Sequence, residues 1–254
     1  MKLRPPFSIQ QLLFTAGCAF LFAAMAPAQD TVITTDNQQR YPVKVLGVSP
    51  SGQLEFKVGQ GKLALPMSNV KEVRMAPPPE YGQAFQEYQA KNFKKALDLI
   101  KPIADHFRGM PSPWAQQAVS MLGDLYIALN DLPKAEAAYN DFKKLYPSGA
   151  SLQAEVGFSR LAAAKKDYDT AKQKVGPITE QALKEKAPTL SNALAYSQAF
   201  LVSGQVKEAE GNFSGALEDY LRTVTIFYQD RAAVSAAQDR ADTLRKEHQD
   251  VTVP

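Results

Sequence analysis

The sequence predicts two architectures in series: a small all-β barrel, followed by an all-α solenoid of helical hairpins. Three observations carry this expectation. Apolar residues alternate with a period of two over residues 31–75, and the period changes to about 3.6 beyond three consecutive prolines. After that change a short aromatic–alanine pattern recurs four times, once strongly and three times in weaker form.

Ahead of both modules, residues 1–28 have the layout of an export signal. Lys2 and Arg4 precede an unbroken run of apolar or small residues over 12–24, and Ala26-Pro27-Ala28 offers small side chains to a signal peptidase. Cleavage is expected after Ala28, which would make the protein exported and most simply periplasmic. The run falls short of the roughly 20 residues that span a bilayer, so no stable membrane insertion is expected. Cys18, in "TAGC", resembles a lipoprotein box. However, Thr15 stands where leucine is usual, and a second apolar stretch (19–25) would follow the lipid; Cys18 is therefore read as an apolar residue of the signal. It is the only cysteine in the chain, so packing rather than disulfides must stabilise the mature protein. Losing residues 1–28 removes two basic side chains and no acidic one, which leaves 27 Lys and Arg against 26 Asp and Glu. A near-neutral protein has no long-range field suited to nucleic acid, and no nucleic-acid partner is expected.

Residues 29–75 read as five short strands. A β-branched run over 31–35 is followed by the turn chemistry of "TDNQQ", and Tyr41, Val43 and Val45 then alternate as far as "SPSG". Leu54, Phe56 and Val58 share one face of the next strand, "GQG" turns a hairpin, and Leu63 and Leu65 alternate up to Pro66. "MSNV" has the look of one 3₁₀ turn, and Val73 and Met75 close the module. So few short strands cannot cover a broad flat sheet, and curling into a barrel is the economical way to bury one side. The segment, above all "LPMSNVKEVRM" after its hairpin, resembles the Sm-like or Src-homology-3-like small barrels of exported bacterial proteins. That fold serves several kinds of ligand, so it implies no single role.

"APPPE", residues 76–80, cannot join a β ladder and is expected to be a stiff spacer. Residues 81–249 then carry the repeat, and 250–254 form a tail. In "MLGDLYIALNDLPKAEAAYNDFKKLYP", Gly123 is expected to let two helices approach closely, and Ala135 to do the same from the facing helix. Tyr126, Leu132, Tyr139 and Phe142 fill the larger gaps, and Pro147 ends the pair. "AKNFKKAL", "KKDYDTAK" and "EGNFSGAL" align on the same loop and place Ala96, Ala171 and Ala216 beside Ala135 in register. The four alanines are 39, 36 and 45 residues apart. "RGMPSP" accounts for the excess in the first interval and "GPITEQALKEKAPT" for that in the last. This order of leucine-glycine, tyrosine, loop, alanine, aromatic and proline resembles the tetratricopeptide repeat, whose ideal length is about 34 residues. Val234, Ala237, Ala241 and Leu244 form one stripe of a final helix with charges elsewhere, as a solenoid cap requires, and Asp230 is placed to cap its start.

The sequence offers no catalytic, cofactor-binding or metal-ligating set. Its two histidines, His106 and His248, have no histidine or cysteine at ligand spacing, and neither a G-x-S-x-G elbow nor a phosphate-binding loop occurs. Glu136, Asp141, Glu218 and Asp219 are expected on helix exteriors. Tyr81, Phe85 and Tyr88 lie at i, i+4 and i+7 on the first helix, and two readings stand: they line a concave binding surface, or they pack against a neighbouring element. Ser120, Asp124 and Arg160 occupy the inner positions where some tetratricopeptide proteins carry a lysine–asparagine clamp for a terminal carboxylate, and they do not match it. The resemblance therefore implies an exported, non-enzymatic adaptor that binds another envelope protein. In the alternative, the barrel binds a ligand or cell-wall material and the repeats are a spacer or a dimer contact. Self-association is left open.

Overall fold

A computed structural model describes residues 29–147 and 151–249. The expected strands all form: β1 (Asp30–Thr34), β2 (Gln39–Val48), β3 (Gln53–Val58), β4 (Gly61–Pro66) and β5 (Val70–Arg74), with a 3₁₀ turn at Met67–Asn69. Their arrangement is not a barrel. The sheet is antiparallel in the order β4-β3-β2-β1-β5, and its two end strands do not pair with each other. β2 is long enough to serve two neighbours, pairing with β1 through its first half and with β3 through its second. Register shifts at Asp30/Val32 and Val45/Gly47 bend it between the two.

What makes closure unnecessary is a second layer. Val32, Val43, Val45, Leu54, Phe56, Val70 and Val73 form the buried face of the sheet, in one apolar cluster with Ile100, Ile103, Phe107, Met110 and Trp114. Helices thus cover the face that a barrel would have wrapped on itself. Three polar contacts fix the join. The His106 Nε2–H donates to the Leu46 carbonyl at 2.7 Å, Trp114 Nε1–H to that of Met75 at 3.1 Å, and Val73 N–H to that of Pro111 at 2.9 Å. Gly47 (φ +133°) lets the imidazole in, since a Cβ there would stand 2.4 Å from Nε2.

Nine helices follow among the described residues: α1 (Pro79–Gln89), α2 (Phe93–His106), α3 (Pro113–Ala128), α4 (Leu132–Leu145), α5 (Ser151–Ala164), α6 (Tyr168–Lys184), α7 (Leu190–Ala209), α8 (Phe213–Thr225) and α9 (Arg231–Glu247). Pro79 opens α1 at a first-turn position, where a missing N–H leaves no bond unmade. The first eight helices form four pairs, each joined by a three-residue turn of one design. The second turn residue has positive φ (Lys91, Asn130, Lys166, Gly211), and the third is Asn92, Asp131, Asp167 or Asn212. In every case the N–H of that third residue donates to a carbonyl five residues back, within 2.8–2.9 Å, which closes a Schellman-type end. In the last three turns the same residue caps the next helix through its side chain. Four residues farther on come Ala96, Ala135, Ala171 and Ala216, each with no exposed surface.

Close approach is most visible around Tyr139 of α4. A Cβ added to Gly123 of α3 or to Gly157 of α5 would come within 2.4 Å of its ring, so the phenol lies between two glycines. Gly204 of α7 faces Tyr220 of α8 in the same way, again at 2.4 Å. On α9 the buried stripe is Ala233, Ala237, Ala241 and Leu244, one residue off the expected start at Val234, and Asp230 caps the helix through Ala232 and Ala233. Asp219 departs from its expected exterior place. It is 1% exposed, accepts from Ser203 Oγ at 2.6 Å and pairs with Lys207 and Arg222.

Two predictions follow from this packing. In an ordinary helix interior Gly→Ala stabilises by up to about 1 kcal/mol. At Gly123 the sign should reverse, because the new methyl must displace Tyr139; overpacking of about 1–3 kcal/mol should lower the melting temperature by several degrees in a circular-dichroism melt. A fragment of residues 29–75 should fail to give a dispersed amide spectrum by NMR, since its apolar face has lost its cover. A self-sufficient barrel would fold.

Candidate functional site

A cavity of about 530 Å³ opens between α1, α3, α5 and α7 and reaches the start of α9. Regular helical spacing builds its walls. On α3, Gln116, Ser120 and Asp124 recur every fourth residue with Gln117 and Met121 beside them, so one face of that helix lines the space. α7 contributes Leu190, Ser191, Leu194 and Gln198 by the same rule. Phe85 and Tyr88 come from α1, Phe142 from α4, Gln153 from α5, and Asp230 from the cap of α9. The array bends enough for α9 to meet α1, where Lys91 Nζ lies 3.1 Å from Asp239.

The floor is a charge-compensated network. Asp124 accepts from the Tyr139 hydroxyl at 2.5 Å and forms an ion pair with Arg160, so a single carboxylate ties α3 to α4 and α5. Burial opposes the Arg160 charge, but Asp124 together with the Tyr88 and Tyr139 phenols outweighs it and holds the guanidinium's pKa above its ordinary value. Burial also raises the Tyr139 phenol well above its usual range, with the Asp124 charge adding to the effect. The Tyr88 phenol is pushed up to about 12, chiefly by burial, so it stays neutral.

Neutral hydrogen-bonding groups dominate the walls. Gln117 Oε1 accepts from the Tyr81 hydroxyl at 2.7 Å, Gln198 Nε2 donates to Asp230 at 2.7 Å, and Gln153 Nε2 reaches the Ser191 carbonyl at 3.3 Å. Asp230 is further occupied by the α9 backbone N–H groups. Both carboxylates of the cavity are thus committed to the protein, and what faces the space is amide, hydroxyl and apolar surface. Among the described residues no three His, Cys, Asp or Glu side chains group as a metal site, and no helix is long and apolar enough to cross a membrane.

Four of the six residues singled out from sequence, Phe85, Tyr88, Ser120 and Asp124, meet in this cavity. Tyr81 turns away toward Trp114, ring to ring at 5.9 Å, and Arg160 sits beneath the floor behind Asp124. Phe85 and Tyr88 also pack on the apolar cluster under the sheet, so these rings line the cavity and are part of the packing at the same time. Sequence reasoning missed the four glutamines and the whole α7 wall. The every-fourth-residue run of neutral polar side chains on the otherwise apolar α3 was the signal for the first. No local signal joins residues 189–198 to residues 85–124.

Comparison of the chain with protein-family models, with curated proteins and with solved structures gives no match. The network itself yields a prediction. Asp124→Ala leaves the Arg160 guanidinium buried without its counter-charge and should cost about 3–5 kcal/mol. The pair Asp124→Leu with Arg160→Met removes both charges and should recover most of that loss. Urea unfolding of the single and double variants measures the coupling between them.

Proposed function

We propose that the helices from Pro79 to Glu247 form a tetratricopeptide-type array, and that the chain is an exported, non-enzymatic adaptor holding an extended segment of another cell-envelope protein in the α1–α3–α5–α7 groove. The observation that carries this reading is the groove's composition. Amides suit a peptide backbone, whose donors and acceptors alternate along its length, while Phe85, Tyr88, Met121 and Leu194 offer apolar seats for its side chains. Both carboxylates are already engaged, which favours a segment without charge in its central residues. The recurring turn, with its buried alanine four residues beyond, supports the repeat assignment. Export rests on the composition of residues 1–28. The sheet is the weaker candidate for a ligand site, because its apolar face packs against α2 and α3.

A photo-crosslinking residue at Ser191, in the groove wall, should capture a discrete envelope protein when the chain is expressed in its native cell. The same residue at Lys94, on the exposed outer surface of α2, should not. Filling the groove with Ser120→Trp should abolish capture from Ser191 while the melting temperature stays within a few degrees of the parent. Equal capture from both positions, or capture that survives the tryptophan, would remove the groove from consideration.

A further inference from the structure

The open sheet has two end strands, and the protein treats them differently. Along β5 the outward N–H of Val73 is taken by the Pro111 carbonyl. Along β4, among the described residues, the only backbone partner is β3. An edge without a backbone partner is a template for another strand.

Hydrogen-bond alternation shows what this template presents. β3 and β4 are joined by the two-residue turn Gly59-Gln60, with Val58 opposite Gly61. In such hairpins the flanking pair exchanges both bonds, and bonded pairs alternate from there. Val58/Gly61, Phe56/Leu63 and Leu54/Leu65 therefore spend their backbone groups inside the sheet. Lys62 and Ala64 point N–H and C=O outward, and Pro66 can offer only a carbonyl. The side chains sort as cleanly. Leu63 stands opposite buried Phe56 on the inner face yet is 42% exposed, and Val58 on that face is 44% exposed. Leu63 lacks a neighbour on the side where a further strand would lie, and the neighbour of Val58 on that side is Gly61, which has no side chain.

We infer that β4 pairs antiparallel with β4 of a second copy of this chain, about a two-fold axis through Leu63, and joins two five-stranded sheets into one. Other symmetric registers are worse. Centring on Lys62 sets like charges face to face, and centring on Ala64 sets Lys62 against Pro66, which has no N–H to give. Centring on Leu63 matches Lys62 with Ala64 of the second copy and satisfies every outward donor. On the inner face the two Leu63 side chains meet and extend the row that begins at Phe56. On the outer face Lys62 lies beside the small Ala64 of the second copy, whose neighbour in the sheet is Glu55. Within one chain Lys62 already reaches Glu55 at 2.9 Å; across the seam Glu55 of the second copy lies two strand spacings away, about 10 Å between backbones.

The test uses the full chain with Cys18→Ser. Sedimentation at tens of micromolar should show a dimer. Leu63→Cys should oxidise to a disulfide-linked dimer under mild conditions, and Lys57→Cys, one strand in, should not. Ala64→Pro removes an amide that the chain does not use, so helical and sheet content should persist while dimer affinity falls at least tenfold. A monomeric parent chain, an undiminished dimer in Ala64→Pro, or no crosslink from Leu63→Cys would each overturn the inference. A monomer would assign the edge to a strand from elsewhere in the chain or from another protein. Should Ala64→Pro disturb the fold, Leu63→Lys, which sets two charges on the axis, decides by the same loss of dimer.

Discussion

The Tyr139 ring, held between Gly123 and Gly157, is the contact on which the rest of the structure turns. Two glycines facing one aromatic side chain bring α3, α4 and α5 together at a distance that any side chain larger than hydrogen would widen. The same ring delivers its hydroxyl to Asp124, and Asp124 in turn engages Arg160. Close packing, a buried hydrogen bond and a compensated ion pair are therefore one assembly, and it forms the floor of the groove. A buried ion pair adds little net stability by itself, because desolvation offsets attraction. What it contributes here is placement. Three helices meet at one carboxylate, and the groove above is left free of uncommitted charge.

The sheet obeys a different constraint. A five-stranded antiparallel sheet must cover its apolar face, and closure is only one way of doing so. In this chain α2 and the segment leading into α3 lie across that face, and the side chains of His106 and Trp114 and the carbonyl of Pro111 fasten it to the backbone of the sheet. Covering a sheet from one side leaves its ends open. One end is taken up by the α2–α3 connection, and the other keeps Lys62 and Ala64 facing outward. The unpaired β4 edge thus follows from using helices, rather than curvature, to bury the sheet.

Much of this was legible in the sequence, and the boundary of legibility is physical. Alternation places every strand because the side-chain period of a strand is two, whether the sheet closes or not; closure depends on which surface arrives to cover Phe56, and that surface lies more than forty residues away. Ala96, Ala135, Ala171 and Ala216 were readable because one local turn sets their position. Asp219 was misread as exterior, since pattern alone cannot show that Ser203, Lys207 and Arg222 gather around it. Within the site, Phe85, Tyr88, Ser120 and Asp124 followed from helical spacing. The α7 wall did not, because it faces α3 and α1 through the packing of helices far apart in sequence, which no local rule connects.

The irregularities of the repeat bear on this most directly. Read as sequence, the two long intervals between alanines carry extra segments, "RGMPSP" and "GPITEQALKEKAPT", beyond a shorter ideal unit. In the structure each has a use. The extra residues of the first interval, "RGMPSP", include Pro111, whose carbonyl takes the Val73 N–H, and they lead straight into Trp114, which binds the Met75 carbonyl. The insertion is the clasp that holds the sheet to the helices. The extra length of the last interval extends α6 to 17 residues and α7 to 20, with a connection over residues 185–189 between them. That added length carries Thr189, Leu190 and Ser191 out to the rim and makes α7 a wall facing α3. Regular repeats alone would give a uniform concave surface. Here the departures from regularity turn that surface into one bounded cavity, backed at its first pair of helices by a sheet.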